Sequence, residues 1–114
     1  MPRFVVLEHD HPFLHWDFML EAGDVLLTWR LSSPPAPQRT VSAERIGDHR
    51  RAYLDYEGPV SGGRGNVTRW DGGSFEWLED AEDRKVVRLR GGRLDGTFRL
   101  ERTPAGEWRG LFVG

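Results

Sequence analysis

Glycine and proline interrupt this chain so often that a long helix has no room to form. Fourteen glycines and seven prolines are spread through 114 residues, and in a helix interior they cost about 1 and 3 kcal/mol respectively. Between them apolar residues recur at every second position, the period of a strand with one buried face. Phe4 to Glu8 is a short apolar run, His15 to Ala22 alternates, and Val25 to Leu31 is rich in β-formers. Gly23-Asp24 predicts a hairpin turn between the last two. SSPPAPQ, residues 32–38, reads as a loop, and Val41 to Asp48 is expected to hold one short helical turn. The next strand is expected at Tyr53 to Tyr56, before the glycine-rich excursion GPVSGGRG at 58–65. Further short strands are predicted at Asn66 to Trp70, Ser74 to Leu78, Val86 to Arg90, Thr97 to Glu101 and Trp108 to Val113. Gly72-Gly73, Gly91-Gly92 and Pro104-Ala105-Gly106 separate them.

Short, closely spaced strands joined by such turns predict an all-β fold: a small antiparallel β-barrel, closed or nearly closed, with one short helical turn and long loops. Closure removes the exposed edges that a flat sheet would present. The length fits one domain, residues 1–114, with a single hydrophobic core. Five tryptophans and six phenylalanines supply that core with bulk. On strands, Trp29, Trp70 and Trp77 are expected to pack inward rather than to stack on bases.

Composition narrows the chemistry. With no cysteine, disulfides and thiolate metal sites are excluded, so any metal must be held by histidine and carboxylate. The net charge of -2 lacks the footprint of a general nucleic-acid binder, although a local patch remains open. Fifteen of the sixteen basic residues are arginine. Arginine's planar fork suits phosphate, while a general arginine bias explains the count more simply. The apolar run after Met1-Pro2-Arg3 is too short for a signal sequence and no window approaches a membrane span, so a cytoplasmic location without membrane partners is expected.

The strongest local signal is EHDHPFLHWDFMLE, residues 8–21, which holds three of the four histidines. On a strand, His15, Asp17, Met19 and Glu21 share one face, and Trp16, Phe18 and Leu20 the other. The turn at Asp10-His11-Pro12 can return His9 to the side of His15. Two imidazoles and one carboxylate supply three ligands to a divalent cation and leave positions open for water or substrate. A single histidine on such a strand is more often plain surface polarity; the cluster argues for a site. The fourth histidine also lies beside an acid, in Asp48-His49. His11, in a turn beside Pro12, is the weakest member, either exposed or an outer partner of the ligands.

The segments FVVLEHD, HWDFMLE, DHRRAYLDYEG, WDGG and GGRLDGTFRLER, in this order between Phe4 and Arg102, resemble the 3'-phosphoesterase domain of bacterial DNA ligase D. The first three carry most of the specificity. The resemblance implies a compact β-barrel that binds a divalent metal, typically manganese, and removes 3'-phosphates and 3'-terminal ribonucleotides from a primer strand during DNA end repair by non-homologous end joining. It implies His9, His15 and Asp17 as metal ligands, His49 as the catalytic, phosphate-contacting histidine and Tyr53 as its neighbour at the substrate. Implied partners are nucleic-acid 3' ends and a separate DNA ligase or polymerase.

Two departures stand out. The family has an arginine two residues beyond the metal aspartate, where this chain has Met19, and a glutamate two residues before the catalytic histidine, where it has Gly47. The glycine-rich loop, Ser61 to Gly65, is also shorter. Losing a charge-assisted phosphate contact costs about 1.5–3 kcal/mol unless another arginine takes over. Arg50, Arg51 and Arg64 are the expected replacements and substrate-binding residues, with Arg39 and Arg45 as further candidates. Three readings follow: a metal-dependent 3'-phosphoesterase, a catalytically weakened module of the same fold that holds nucleic-acid ends or a partner, and a metal hydrolase for a small phosphorylated molecule.

Overall fold

A computed structural model describes all residues, 1–114, and shows an all-β chain. Nine strands follow in order: β1 (Arg3–His9), β2 (His15–Ala22), β3 (Val25–Leu31), β4 (Thr40–Arg50), β5 (Gly58–Pro59), β6 (Asn66–Ala81), β7 (Arg84–Gly91), β8 (Asp95–Arg102) and β9 (Trp108–Val113). Every strand pairing is antiparallel, in the order β1-β2-β3-β4-β9-β8-β7-β6-β5, and β1 pairs again with β6. Eight strands therefore form a nearly closed ring, with β5 attached to β6 outside it. No helix is long and apolar enough to cross a membrane.

Strand alternation gives the ring two apolar clusters. The larger, of 15 buried residues, draws on all eight ring strands and fills the interior; Phe4, Phe18, Trp29, Phe75 and Phe98 are its largest members. Trp70 and Trp77 pack against it from partly buried positions, in line with their expected inward role. The smaller cluster, Val5, Leu7, Met19, Leu26, Leu54 and Val67, lies on the opposite face of β1, β2, β3 and β6. It is roofed by the excursion between β4 and β6, which contributes Leu54 with Tyr53 and Val60 against it. Since β1 is covered on both faces, it reads as an unbroken apolar run rather than an alternating one.

Three local expectations are corrected. Val41 to Asp48 holds no helical turn but lies inside the 11-residue β4, where Val41 is buried in the ring interior and Ala43 packs against the same core. Alternate inward contacts between β3 and β9 override a weak local preference. Tyr53 to Tyr56 does not begin a strand; Arg51–Leu54 is a single 3-10 turn whose one buried residue is Leu54. Gly72-Gly73 is not a turn, because β6 runs through it for 16 residues. Gly73 faces Phe4 of β1 and Gly91 of β7 at once, where the strand passes from one partner to the other. A methyl group at Gly73 would strike the Arg90 carbonyl, so glycine here permits close backbone approach rather than a reversal.

Candidate active site

The hairpins β1–β2 and β2–β3 assemble the site. His9 and His15 are directly opposite in the first, as are Leu7 and Asp17, so His9, His15 and Asp17 share the outer face. His15 is fully buried and Asp17 is 3% exposed. The outer face of β2 is thus no solvated surface: toward one end it carries Met19 in the smaller apolar cluster, toward the other the histidines and the carboxylate.

Hydrogen bonds fix the tautomers. His15 Nδ1 lies 2.9 Å from the Phe13 carbonyl and His9 Nε2 2.8 Å from the Arg64 carbonyl. A carbonyl only accepts, so each of these nitrogens is the donor. In the neutral imidazole the remaining nitrogen then carries a lone pair. His15 Nε2 lies 3.2 Å from Asp17 Oδ1 and 3.3 Å from Oδ2, while His9 Nδ1 lies 3.6 Å from Oδ2. The candidate ligand atoms of the three residues all fall within 4.8 Å of one another. Asp17 Oδ1 is buried and has no hydrogen-bond partner. With both imidazoles neutral, three converging acceptors have no donor between them, an arrangement suited to a cation, and backbone carbonyls holding the far ring nitrogens are the usual outer partners of metal-ligating histidines. The residues present therefore fit a divalent ion of the kind that accepts nitrogen and oxygen ligands.

The roof is tied to the same cluster. Asp10 Oδ1 accepts from the Asn66 amide at 2.7 Å, and Val60 donates to the Gly65 carbonyl at 2.8 Å. Gly65 has φ +74°, and a side chain there would collide with the Asp10 carboxylate and His11 Cβ. Glycine thus lets the loop close down far enough for the Arg64 carbonyl to reach His9.

Between this roof, β2 and β4 lies a cleft of about 530 Å³ lined by His9, Asp17, His11, His49, Tyr53, Arg30, Arg50 and Arg64, with Met19 among its apolar walls. His49 sits on β4 opposite Leu26 of β3 and donates from Nδ1 to the Gly47 carbonyl at 3.0 Å, which leaves Nε2 for other work. Gly47 stands where a glutamate was expected, yet its main chain orients the imidazole. The Tyr53 ring meets His49 edge to face, with centroids 5.6 Å apart.

Not every expected residue reaches the cleft. Arg51 is turned to Glu21, which it binds through Nε at 3.0 Å. Arg45 lies over Trp29 and bonds the Thr28 carbonyl and Asp48, each at 3.1 Å. Arg39 is exposed and not among the lining residues. Arg64 is present, but its guanidinium is engaged by Ser61 O and Oγ at 2.7 and 3.2 Å. The residue that sequence reasoning missed is Arg30, which lies directly opposite Asp17 across β2 and β3. Its signal was the hairpin itself: the turn at Gly23-Asp24 sets Ala22 against Val25, and counting outward brings Asp17 to Arg30.

Away from the cleft, Glu21 is held by both a main-chain amide and a guanidinium. The Arg3 amide donates to it at 2.9 Å, and this bond, with the Arg51 guanidinium beside it, lowers its pKa below the ordinary glutamate value. The pair Arg3–Asp55, at 2.7 Å, ties β1 to the end of the 3-10 turn. Hydrogen bonding to Arg3 likewise holds the Asp55 carboxyl below its usual range.

Fold and site together define an all-β domain organised around a candidate ion-binding cluster beneath a loop roof. The chain belongs to the DNA ligase D 3'-phosphoesterase domain family, whose model matches residues 7–102. It is 32% identical over 114 aligned positions to the multifunctional non-homologous end joining DNA repair protein LigD of Mycobacterium tuberculosis, an alignment covering 92% of this chain and 15% of that protein. The LigD proteins of Pseudomonas aeruginosa, 32% identical with 89% of this chain and 13% of the relative covered, and of Mycolicibacterium smegmatis, 28% identical with 93% and 16% covered, are similar on the same scale. The chain thus spans roughly one seventh of the length of these curated relatives.

Proposed function

We propose that this chain is a divalent-metal-dependent phosphoesterase that trims 3'-phosphate or 3'-ribonucleotide ends of nucleic acid in end-joining repair. The observation that carries the reading is the convergence of His9, His15 and Asp17 on one point with their far ring nitrogens already bonded to carbonyls. Family membership supplies the substrate class.

His9, His15 and Asp17 would hold the ion, for which manganese is the proposed occupant. When bound, such an ion polarises a phosphoryl oxygen and promotes ionisation of a water. His49, oriented by the Gly47 carbonyl, faces the same cleft and stabilises charge on the phosphoryl group or protonates the leaving oxygen. Tyr53 packs against its ring and fixes the position. Arg50 and Arg64 add positive character to the wall. The small net negative charge of the chain leaves little general attraction for nucleic acid, so delivery of ends by a separate ligase or polymerase is part of the proposal.

The test is release of inorganic phosphate from a DNA primer bearing a 3'-phosphate, with manganese, for wild type, His9→Ala and His49→Ala. Metal-dependent release lost in both variants is the expected result, with manganese binding lost only in His9→Ala. One observation favours a second reading, an end-holding module: Met19 is a buried apolar residue where the family has an arginine. Manganese binding and primer binding without phosphate release would establish it. Equal turnover of a generic aryl phosphate and a primer end would point instead to a small-molecule hydrolase.

A further inference from the structure

Eight of the fifteen arginines pair with a carboxylate. The three on the cleft, Arg30, Arg50 and Arg64, do not, and they differ in how far they are committed elsewhere. Arg64 is bonded to Ser61. Arg50 is exposed and follows His49 at the end of β4, so its long side chain keeps most of its rotamer freedom. Arg30 is half-buried in the middle of the sheet, on the same face as Asp17, with its guanidinium 5.9 Å from the centre of the Phe13 ring. Its Nε is shielded from solvent and has no hydrogen-bond partner. Across β4 its pairing neighbour is Glu44, an exposed residue with which it forms no ion pair.

A guanidinium held in place by packing, short of a hydrogen-bond acceptor and on the residue paired directly with Asp17 of the candidate ion cluster, is a preformed anion site. We propose that Arg30 is the phosphate-binding arginine of this cleft, contacting the terminal phosphate of the nucleic-acid end from β3. It thereby supplies the positive charge that the apolar Met19 withholds on β2. The proposal rests on the phosphoesterase reading of the cleft. It assigns a chemical role to a residue whose identity follows from strand pairing alone. Arginine rather than lysine is needed because a fork can meet two phosphate oxygens at once, whereas an ammonium meets them as a point charge.

The experiment compares binding of two labelled DNA primers, one ending in a non-hydrolysable 3'-phosphonate and one in a 3'-hydroxyl, with manganese present. Wild type is expected to prefer the phosphonate end, Arg30→Gln to lose about ten- to a hundredfold of that preference, and Arg30→Lys to fall between them. Arg109→Gln, a change on β9 outside the cleft, leaves the preference intact. Manganese titration of Arg30→Gln, matching wild type, shows that the fold and the ion cluster persist. Undiminished preference in Arg30→Gln, or no preference in wild type, overturns the assignment. Unaltered manganese affinity in His9→Ala would instead sink the metal reading, while the phosphonate comparison still decides the role of Arg30.

Discussion

Two aspartates are buried in this protein, and their surroundings are opposite. Asp71, on β6, accepts three main-chain hydrogen bonds from the loop after β7: Gly92 to Oδ1 at 2.9 Å, Arg93 to Oδ2 at 3.1 Å and Leu94 to Oδ2 at 2.8 Å. Asp17, on β2, receives no main-chain donor and faces two imidazole nitrogens. Both are nearly inaccessible, at 7% and 3%. Burial alone therefore says nothing about role. A buried carboxylate whose lone pairs are filled by amides is a piece of architecture, whereas one with an orphaned oxygen beside two imidazole nitrogens is suited to holding a cation.

The contrast is broken or sharpened by substitution. The largest effect is expected from Asp71→Ala, which leaves three amides without their acceptor and opens the β7–β8 loop. A loss of about 3–5 kcal/mol is expected, a large share of the stability of a small domain. Chemical denaturation should show that loss equally with and without manganese. A metal-dependent loss would mean that the two aspartates are not of different kinds.

Next comes Asp17→Asn. Manganese affinity, read by electron paramagnetic resonance, should fall at least a hundredfold, equivalent to about 2.7 kcal/mol. The metal-free protein should melt no lower than wild type, since the change removes an uncompensated buried charge. In wild type, manganese at a hundred times its dissociation constant should add about 2.7 kcal/mol of stability, and the same concentration no more than about 0.4 kcal/mol in Asp17→Asn. A clear destabilisation of metal-free Asp17→Asn would place Asp17 beside Asp71 as a structural residue.

Gly65→Ala probes the link between roof and cluster. At φ +74° alanine is strained and collides with Asp10 and His11, so about 1–2 kcal/mol of stability should be lost. Manganese affinity should also fall about tenfold, as the Arg64 carbonyl draws away from His9. Unchanged metal affinity would show that His9 does not need this partner.

The smallest effect is that of Glu21→Gln, on the rim. The folded-state pKa of Glu21 is lowered, first by the Arg3 amide and then by Arg51. Its contribution is therefore fully present above the ordinary glutamate value of about 4.3 and fades as pH falls through the lower folded value. The Arg51 partner is 54% exposed, and screening by water limits the pair to less than about 1 kcal/mol. Melting temperature followed from pH 7 to pH 3 should fall less steeply in Glu21→Gln than in wild type. Identical acid limbs would rule out Glu21 as a contributor.

How much of this was readable in the chain differs from element to element. The hairpin around Gly23-Asp24 was fully local: alternation placed Phe18 and Leu20 on one face and His15 and Asp17 on the other, and both placements hold. The glycines of β6 misled, because Gly72 and Gly73 have the composition of a turn but lie inside a strand, where Gly73 permits a close approach to the Arg90 main chain and Gly72 leaves room for the Arg69 guanidinium. Tyr53, expected at the substrate, lines the cleft, but its backbone is a 3-10 turn rather than a strand, anchored by Leu54 in a cluster that strands distant in sequence complete. Arg51 and Arg45 were plausible phosphate ligands by position in the chain and are held elsewhere by Glu21 and by Asp48 with the Thr28 carbonyl.

The order of residues by itself determined the strand-rich class, the exclusion of thiolate chemistry and the three donors worth watching, because residue type and period-two spacing are local properties. Which side of the ring those donors occupy, what roofs them, and which guanidinium stands opposite the carboxylate were settled only in three dimensions. Register between strands, closure through β1 and β6, and the descent of a glycine loop onto His9 each depend on groups far apart along the backbone. No local preference can specify such contacts until the ring has closed.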